Sequence, residues 1–567
     1  MKTRRLLTLL IFMAMLCSLL TGCVFLSGCE NGDVDMVPFD EMVYERPDLD
    51  TALAAADTLI SDLKDGAALR HARKGLDACF DTYRRLRTME AISTIRSDSD
   101  VTDEYYRGEM EFCTDALISY RAKLEEVFAA CAASDLRDGL DDYLGAGFLD
   151  DYGGDYVFPE ALFRLQRREN ELVNQYFAAL AAQRYTLGGK SYTIDELYLA
   201  GRNGELDGVT LADAVNAYYI SANETLGGIF CELAKVRRAL AAEAGYGSFL
   251  DMAYEQNNRD YSPAEAAAFT EAVKTHLVPL YREAVETGAA DDGYYGTQSL
   301  DPRDALMTVM DIADAMGGDI ADTAAFLMEY DLVNAEVSDK KISDSYELYI
   351  PDYESPYILA GTIGYAEDIL TIAHELGHAV DDFVHYEADD STDVSETLSQ
   401  ALEYLTIPYL EDDALYDSLL AYKLTDALRM YAEQGSYNAF EEQVYALTDE
   451  ELTLENVNAI AAACAKDFGV QSEWGEGYDA RSWVEITHFY QQPLYVVSYL
   501  ASDALAIQFY EQELAQKGVG LRLCKDAITR AGDTEFMQLS KKLGLRDPLS
   551  EAQVEAIAKL MREALFQ

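Results

Sequence analysis

The sequence predicts a mainly α protein, with a small β segment beside one helix that carries a pair of histidines. Proline is scarce, 11 in 567 residues, while Ala, Leu and Glu recur throughout, a composition that favours helix. Apolar residues return every three or four positions over long stretches, which is the period of a helix with one buried face. Only between 331 and 363 does the texture change to short β-prone runs, "YELYI" and "PYILAGTI". The length allows several domains or one large body, either with a sizeable core.

The N-terminus stands apart. "MKTRRLLTLLIFMAMLCSLLTGC" has a basic start, an apolar run from Leu6 to Leu20 and small residues before Cys23, the layout of an export signal. "LTGC" resembles the lipobox of bacterial lipoproteins, and a second such ending, "LSGC", closes at Cys29. The expectation is a chain exported and anchored to the cell membrane by a lipid on Cys23, or on Cys29. An uncleaved apolar anchor is the alternative. The remaining cysteines, Cys79, Cys113, Cys131, Cys231, Cys464 and Cys524, show neither CxxC spacing nor clustering. They read mostly as small buried side chains, with occasional disulfides left open.

From about Asp48 to Cys131 helix follows helix. "GLDDYLGAGFLDDYGGDY" (139–156) reads as a solvated loop, since the alternating ligand spacing of a calcium loop is missing. The next helix opens with Pro159 in its first turn and carries a stripe of Leu162, Leu165, Leu172, Tyr176 and Leu180. "YTLGGKSYTI" (185–194) reads as a hairpin around Gly188 and Gly189. A boundary there divides the chain into a signal (1–29), an N-terminal helical domain (30–185) and a second domain (186–567). Ser262, Pro263 and Glu265 spell a capped helix start. "TGAADDGYYGTQSLDPRD" (287–304) reads as a loop.

Charge restricts the partners. The chain has 44 basic and 102 acidic residues, a net −58, which argues against nucleic-acid binding because affinity there depends on neutralising phosphates. Such a surface serves solubility and would favour cationic over anionic peptides at low salt.

The strongest chemical signal is "LTIAHELGHAV" (370–380), which holds two of the chain's six histidines. Four residues of helix turn about 400° and rise about 6 Å, so His374 and His378 project from one face and can share an ion. Glu375 is turned about 100° from His374, near the ion yet able to hold a water. This geometry is why HExxH marks zinc hydrolases. Zinc needs a third protein ligand. In "STDVSETLSQALEYL", Ser391 or Thr392 can cap a helix whose buried face carries Leu398, Leu402 and Leu405. Joined to the first by a short turn, that helix can return Glu396 to the level of the histidines. Glu403, two turns on, can orient a ligating histidine or be an ordinary surface carboxylate. His385 reads as structural, because a three-histidine pattern would need His at 384, which is Val.

These residues resemble the thimet oligopeptidase / oligoendopeptidase F family of zinc peptidases. "PYILAGTIGYAEDILTIAHELGHA" is similar to its strand, loop and active helix, including Asp368 and Thr371, and "SETLSQALEY" to its second ligand helix, which makes Glu396 the third zinc ligand. "AGYGSFLDMAYEQNNRDYSPAEAAAFTEAVKTHLVPLYRE" resembles its middle region. "SWVEITHFYQQPLYVVSYLASDALA" resembles the segment that supplies a histidine and tyrosines, matching His488, Tyr495 and Tyr499, with Tyr490 a weaker match. Many relatives carry a histidine three residues after the second ligand; here that place is Asp381.

The resemblance implies a two-lobed helical zincin with a deep substrate channel, binding one zinc ion per chain. Glu375 would act as general base, and His488, Tyr495 and Tyr499 would stabilise the oxyanion. "PYILAG" would offer a strand edge to an extended peptide. The expected partners are short peptides, with no nucleic acid and a membrane only through the lipid anchor; a monomer is expected. A dipeptidyl carboxypeptidase on the same scaffold and a peptide-binding lipoprotein without catalysis are the competing readings.

Overall fold

The computed structural model describes residues 36–152, 160–206, 208–288, 298–386, 391–472 and 475–566. The export segment, Pro159 and residues 289–297 of the 287–304 loop lie outside them. Contacts divide the chain into two units, each assembled from three separate stretches. The first takes residues 1–160, 293–423 and 505–546, the second 161–292, 424–504 and 547–567. No helix among the described residues is long and apolar enough to cross a membrane.

The first unit begins with three helices, Leu49–Lys64, Leu69–Ser99 and Glu104–Ala133. Asp48 and Asp103 cap the first and third by accepting backbone N–H groups of the opening turn. Leu59, Leu76, Phe80, Leu124, Val127 and Phe128 belong to one apolar core between them. The expected loop at 139–156 is corrected over its described part: Arg137–Leu144 is helical and Phe148–Tyr152 forms a 3₁₀ turn, while 153–156 lie outside the described residues. Leu140, Leu144, Leu149 and Tyr152 are buried in the same core, and that burial outweighs the turn chemistry of the intervening Gly and Asp. Asp141 is used internally, accepting the N–H groups of Gly147 and Leu149 at 2.7 Å each.

The unit's sheet has three strands, β1 (Val333–Asn334), β2 (Tyr346–Ile350) and β3 (Ser355–Leu359). Their order is β1-β3-β2. β3 pairs in parallel with β1, with Val333 opposite Ile358, and antiparallel with β2, with Leu348 opposite Tyr357. This overturns the expectation that "PYILAG" presents a free edge. β3 is the middle strand and all five of its residues are buried, as its unbroken apolar run requires. The run-on beyond it is occupied too. Ala360 N–H donates to the Asn334 carbonyl, the Ala360 carbonyl accepts from Lys341 Nζ at 2.7 Å, and Thr362 Oγ1 donates to the Ala335 carbonyl. The outer strands are β1 and β2.

In the second unit the helix Glu160–Ala182 buries Leu162, Phe163, Gln166, Glu169, Leu172 and Tyr176. Leu165 and Leu180 are only half-buried, because the inward face includes a carboxylate that meets a buried arginine (below). The hairpin forms as expected, Tyr185–Leu187 against Lys190–Tyr192, with Gly188 and Gly189 both at positive φ. Ser262 and Glu265 complete a reciprocal capping box with Pro263 in the first turn.

All six described cysteines are free and buried. Ellman titration of protein lacking residues 1–29 should therefore find almost no reactive thiol in the native state and all six under denaturant without reductant. Fewer than six on denaturation would reveal a disulfide.

Candidate metal centre

Directly after β3 the chain makes a loop and enters the helix Asp368–His385. Asp368 fixes that entry, accepting N–H groups from Ile363 (2.9 Å), Gly364 (2.8 Å) and Tyr365 (3.3 Å), with its negative charge at the favourable end of the helix dipole. The following helix, Thr392–Thr406, is capped by Ser391. The two are locked at Gly377, where an added Cβ would lie 2.3 Å from Ser399 Cα and 2.7 Å from its nitrogen. Only glycine permits that approach of two backbones. Contacts then run in opposite order along the pair, His374 with Glu403, Gly377 with Ser399, His378 with Ser395, so the helices are antiparallel.

This registration brings His374, His378 and Glu396 together. The two Nε2 atoms are 3.3 Å apart, and Glu396 oxygens lie 3.6 Å from His374 Nε2 and 3.9 Å from His378 Nε2. Tetrahedral zinc, with bonds of about 2.0–2.2 Å, holds its ligand atoms roughly 3.3–3.6 Å apart, so the donor set fits such an ion. The tautomers agree. Glu403 Oε1 lies 2.8 Å from His374 Nδ1, and an ionised carboxylate only accepts, so Nδ1 carries a proton and Nε2 is the nitrogen turned to a metal. Ser395 Oγ lies 3.0 Å from His378 Nδ1 and, being a hydroxyl, can accept the Nδ1 N–H, which leaves Nε2 for a metal. The histidines keep 21% and 19% of their side-chain surface exposed against 3% for Glu396. The cluster is thus anchored from the Glu396 side and reached from the imidazole side.

Charge around the cluster is arranged to receive a cation. Burial would raise the Glu403 carboxyl, but Lys423, whose Nζ donates to it at 2.8 Å, and His374 outweigh burial and hold it down at about 2. Burial would lower His374, yet the Glu403 hydrogen bond and the charges of Glu396 and Glu403 lift it to about 9. A proton or a metal ion is therefore favoured at this point. His378 is driven down by burial and by its neighbour His374. Glu375 is buried, and desolvation lifts its carboxyl to about 7 against the opposing pull of His374.

Other sequence candidates fall elsewhere. His385 Nε2 meets the Ile528 carbonyl at 2.5 Å, a structural contact, and Asp381 is buried. In the second unit His488, Tyr495 and Tyr499 form their own cluster. Ring centroids are 5.8 Å (His488–Tyr495), 5.9 Å (His488–Tyr499) and 5.2 Å (Tyr495–Tyr499), with His488 Nε2 3.2 Å from the Tyr499 hydroxyl. Tyr490 does not join them. It is fully buried, stacked on Tyr176 at 3.5 Å, and its hydroxyl donates to the Leu226 carbonyl. Sequence reasoning missed three contributors. Gly377 and Ser395 were legible in principle, as a small residue facing the second helix and a hydroxyl one position before a ligand. Lys423 carried no local signal.

The fold and this site define a peptidase of the metallopeptidase type. Residues 39–152 match the Peptidase M3 N-terminal domain and residues 319–559 match Peptidase family M3, together more than half of the chain, and the protein belongs to that family. It is similar in structure to a protein provisionally assigned as oligoendopeptidase F, with TM-score 0.75 and 20% identity over 93% of this chain and 98% of that one. It is similar also to PZ peptidase A solved with an inhibitor, with TM-score 0.74 and 20% identity over 93% and 99%. Oligoendopeptidase F from Enterococcus faecium gives TM-score 0.59 and 14% identity over 91% and 96%. Among curated proteins no sequence match is found.

Glu403→Gln and Lys423→Met should each weaken zinc affinity by roughly 10–100-fold, measured by competition with a chromophoric chelator; unchanged affinity would remove Glu403 from the site. Gly377→Ala should cost about 1–3 kcal/mol of stability and abolish zinc binding, read by calorimetry and metal analysis.

Proposed function

We propose that this protein is a zinc-dependent oligopeptidase that cleaves short unstructured peptides internally, and that it is exported and lipid-anchored through Cys23 or Cys29. The observation that carries the catalytic part is the convergence of His374, His378 and Glu396, with Glu403 holding the Nδ1 side of His374 so that its Nε2 faces the other two. The names of its structural relatives, oligoendopeptidase F among them, favour peptides over proteins as substrates.

When bound, zinc supplies Lewis acidity that makes water nucleophilic near neutral pH and polarises the scissile carbonyl. The protein's own groups do the rest. Glu375 accepts the proton of the attacking water on a carboxylate oxygen and returns it to the leaving amine. Burial lifts its carboxyl above the ordinary carboxylate range, which makes it a stronger proton acceptor. Glu403 keeps the His374 Nδ1 proton in place, and Lys423 keeps Glu403 ionised. In the same reading His488, Tyr495 and Tyr499 donate hydrogen bonds to the oxyanion that develops on the substrate.

Glu375→Gln should retain zinc at wild-type stoichiometry yet lose at least about three orders of magnitude in kcat on an internally quenched peptide. A protein that merely captured peptides would be indifferent to the change. Mass spectrometry of products from a peptide blocked at its C-terminus should show internal cleavage; no cleavage of the blocked peptide alongside cleavage of the free one would point to a carboxydipeptidase instead.

A further inference from the structure

In the second unit the stretch 484–498 carries His488 and Tyr495 and leads into the helix Val496–Ala515, which carries Tyr499. It is broken into the single turn His488–Gln491 and an irregular link, 492–495, before the next helix, so buried peptide groups at these breaks must find partners elsewhere. Side chains from separate helices supply them. Arg237, fully buried, donates Nη1 to the Phe489 carbonyl at 2.7 Å and Nη2 to the Tyr490 carbonyl, while its Nε pairs with Glu169 at 2.7 Å. Arg259, 8% exposed, donates Nη2 to the Leu494 carbonyl at 2.8 Å and to Ser498 Oγ at 2.7 Å. Glu441, fully buried, accepts the Leu494 N–H at 2.9 Å.

Leu494 is the residue these bonds surround, and its φ of +61° lies in the left-handed region. A leucine holds that conformation only where its surroundings dictate it. Glycine would make the same turn without strain, and an apolar lining would avoid burying charge. The arrangement is instead costly and specific. Donor and acceptor grip both sides of one residue, and that residue immediately precedes Tyr495.

We propose that Arg259 and Glu441 are positioning residues that fix the Leu494 turn and thereby aim Tyr495 and Tyr499, with Arg237 serving the His488 end of the same segment. The inference rests on the reading of those side chains as oxyanion donors.

The test uses the zinc-loaded mature protein, an internally quenched peptide, and hydrogen exchange resolved to short peptides. Arg259→Met should lower kcat by about tenfold or more with KM within about twofold, and should speed amide exchange in 489–499 while leaving zinc content and exchange elsewhere unchanged. Arg259→Lys, which keeps the charge and one donor, should recover part of the loss, and it carries the test if Arg259→Met does not fold. In a Tyr495→Phe, Tyr499→Phe background the Arg259 effect on kcat should largely vanish, because the two act through one another. Losses that simply multiply in that background, or exchange in 489–499 that does not change, would overturn the proposal. If the double tyrosine variant itself keeps wild-type kcat, the oxyanion reading has failed, and exchange in 489–499 alone decides whether Arg259 positions the segment.

Discussion

One contact sets the candidate centre: the backbone of Gly377 against the backbone of Ser399. Two ligands come from one helix and the third from the next, so the metal geometry is only as good as the registration of that pair. A side chain at 377 would push the helices apart by more than the tolerance of a coordination bond. With glycine there, Glu396 meets both imidazoles, Glu403 reaches His374, and Ser395 reaches His378. The centre is a property of a helix–helix interface before it is a property of any single side chain.

Around that interface, burial and charge oppose one another. Desolvation penalises every ionised group in the cluster, and the protein answers by pairing rather than by exposing them. Lys423 offsets Glu403, Glu403 offsets the positive charge expected on His374, and burial lifts the Glu375 carboxyl toward neutrality against the pull of His374. The second unit shows a related habit at Arg237, Arg259 and Glu441, where buried polar side chains hold an irregular turn in place.

Much of this was legible in the sequence, and the failures have physical causes. Local rules worked where structure is decided locally: the Ser262–Glu265 capping box, the Gly188-Gly189 hairpin and the His374–His378 spacing all depend on residues within a few positions. Glu403 was readable because two turns of helix place it on the face of Glu396. Local rules failed where distant chain decides. β3 was taken for an edge because its partner β1 is only two residues long and lies more than twenty residues upstream. The 139–156 stretch looked like loop because its glycines and aspartates outnumber the four apolar residues whose burial governs it. Glu169 interrupts an apolar stripe for the sake of Arg237, sixty-eight positions on. Lys423 and Arg259 were invisible, since a lone cation reveals nothing until its acceptors are placed.

The central claim is that two imidazole nitrogens and one carboxylate, on neighbouring helices, bind a single metal ion. X-ray absorption at the zinc edge of the purified, zinc-loaded protein tests it most directly. The zinc should have nitrogen and oxygen neighbours only, at about 2.0–2.2 Å, with two imidazole scattering patterns that become one in His378→Ala and a carboxylate contribution lost in Glu396→Ala. A sulfur scatterer, a third imidazole, or a spectrum unaffected by either substitution would contradict it.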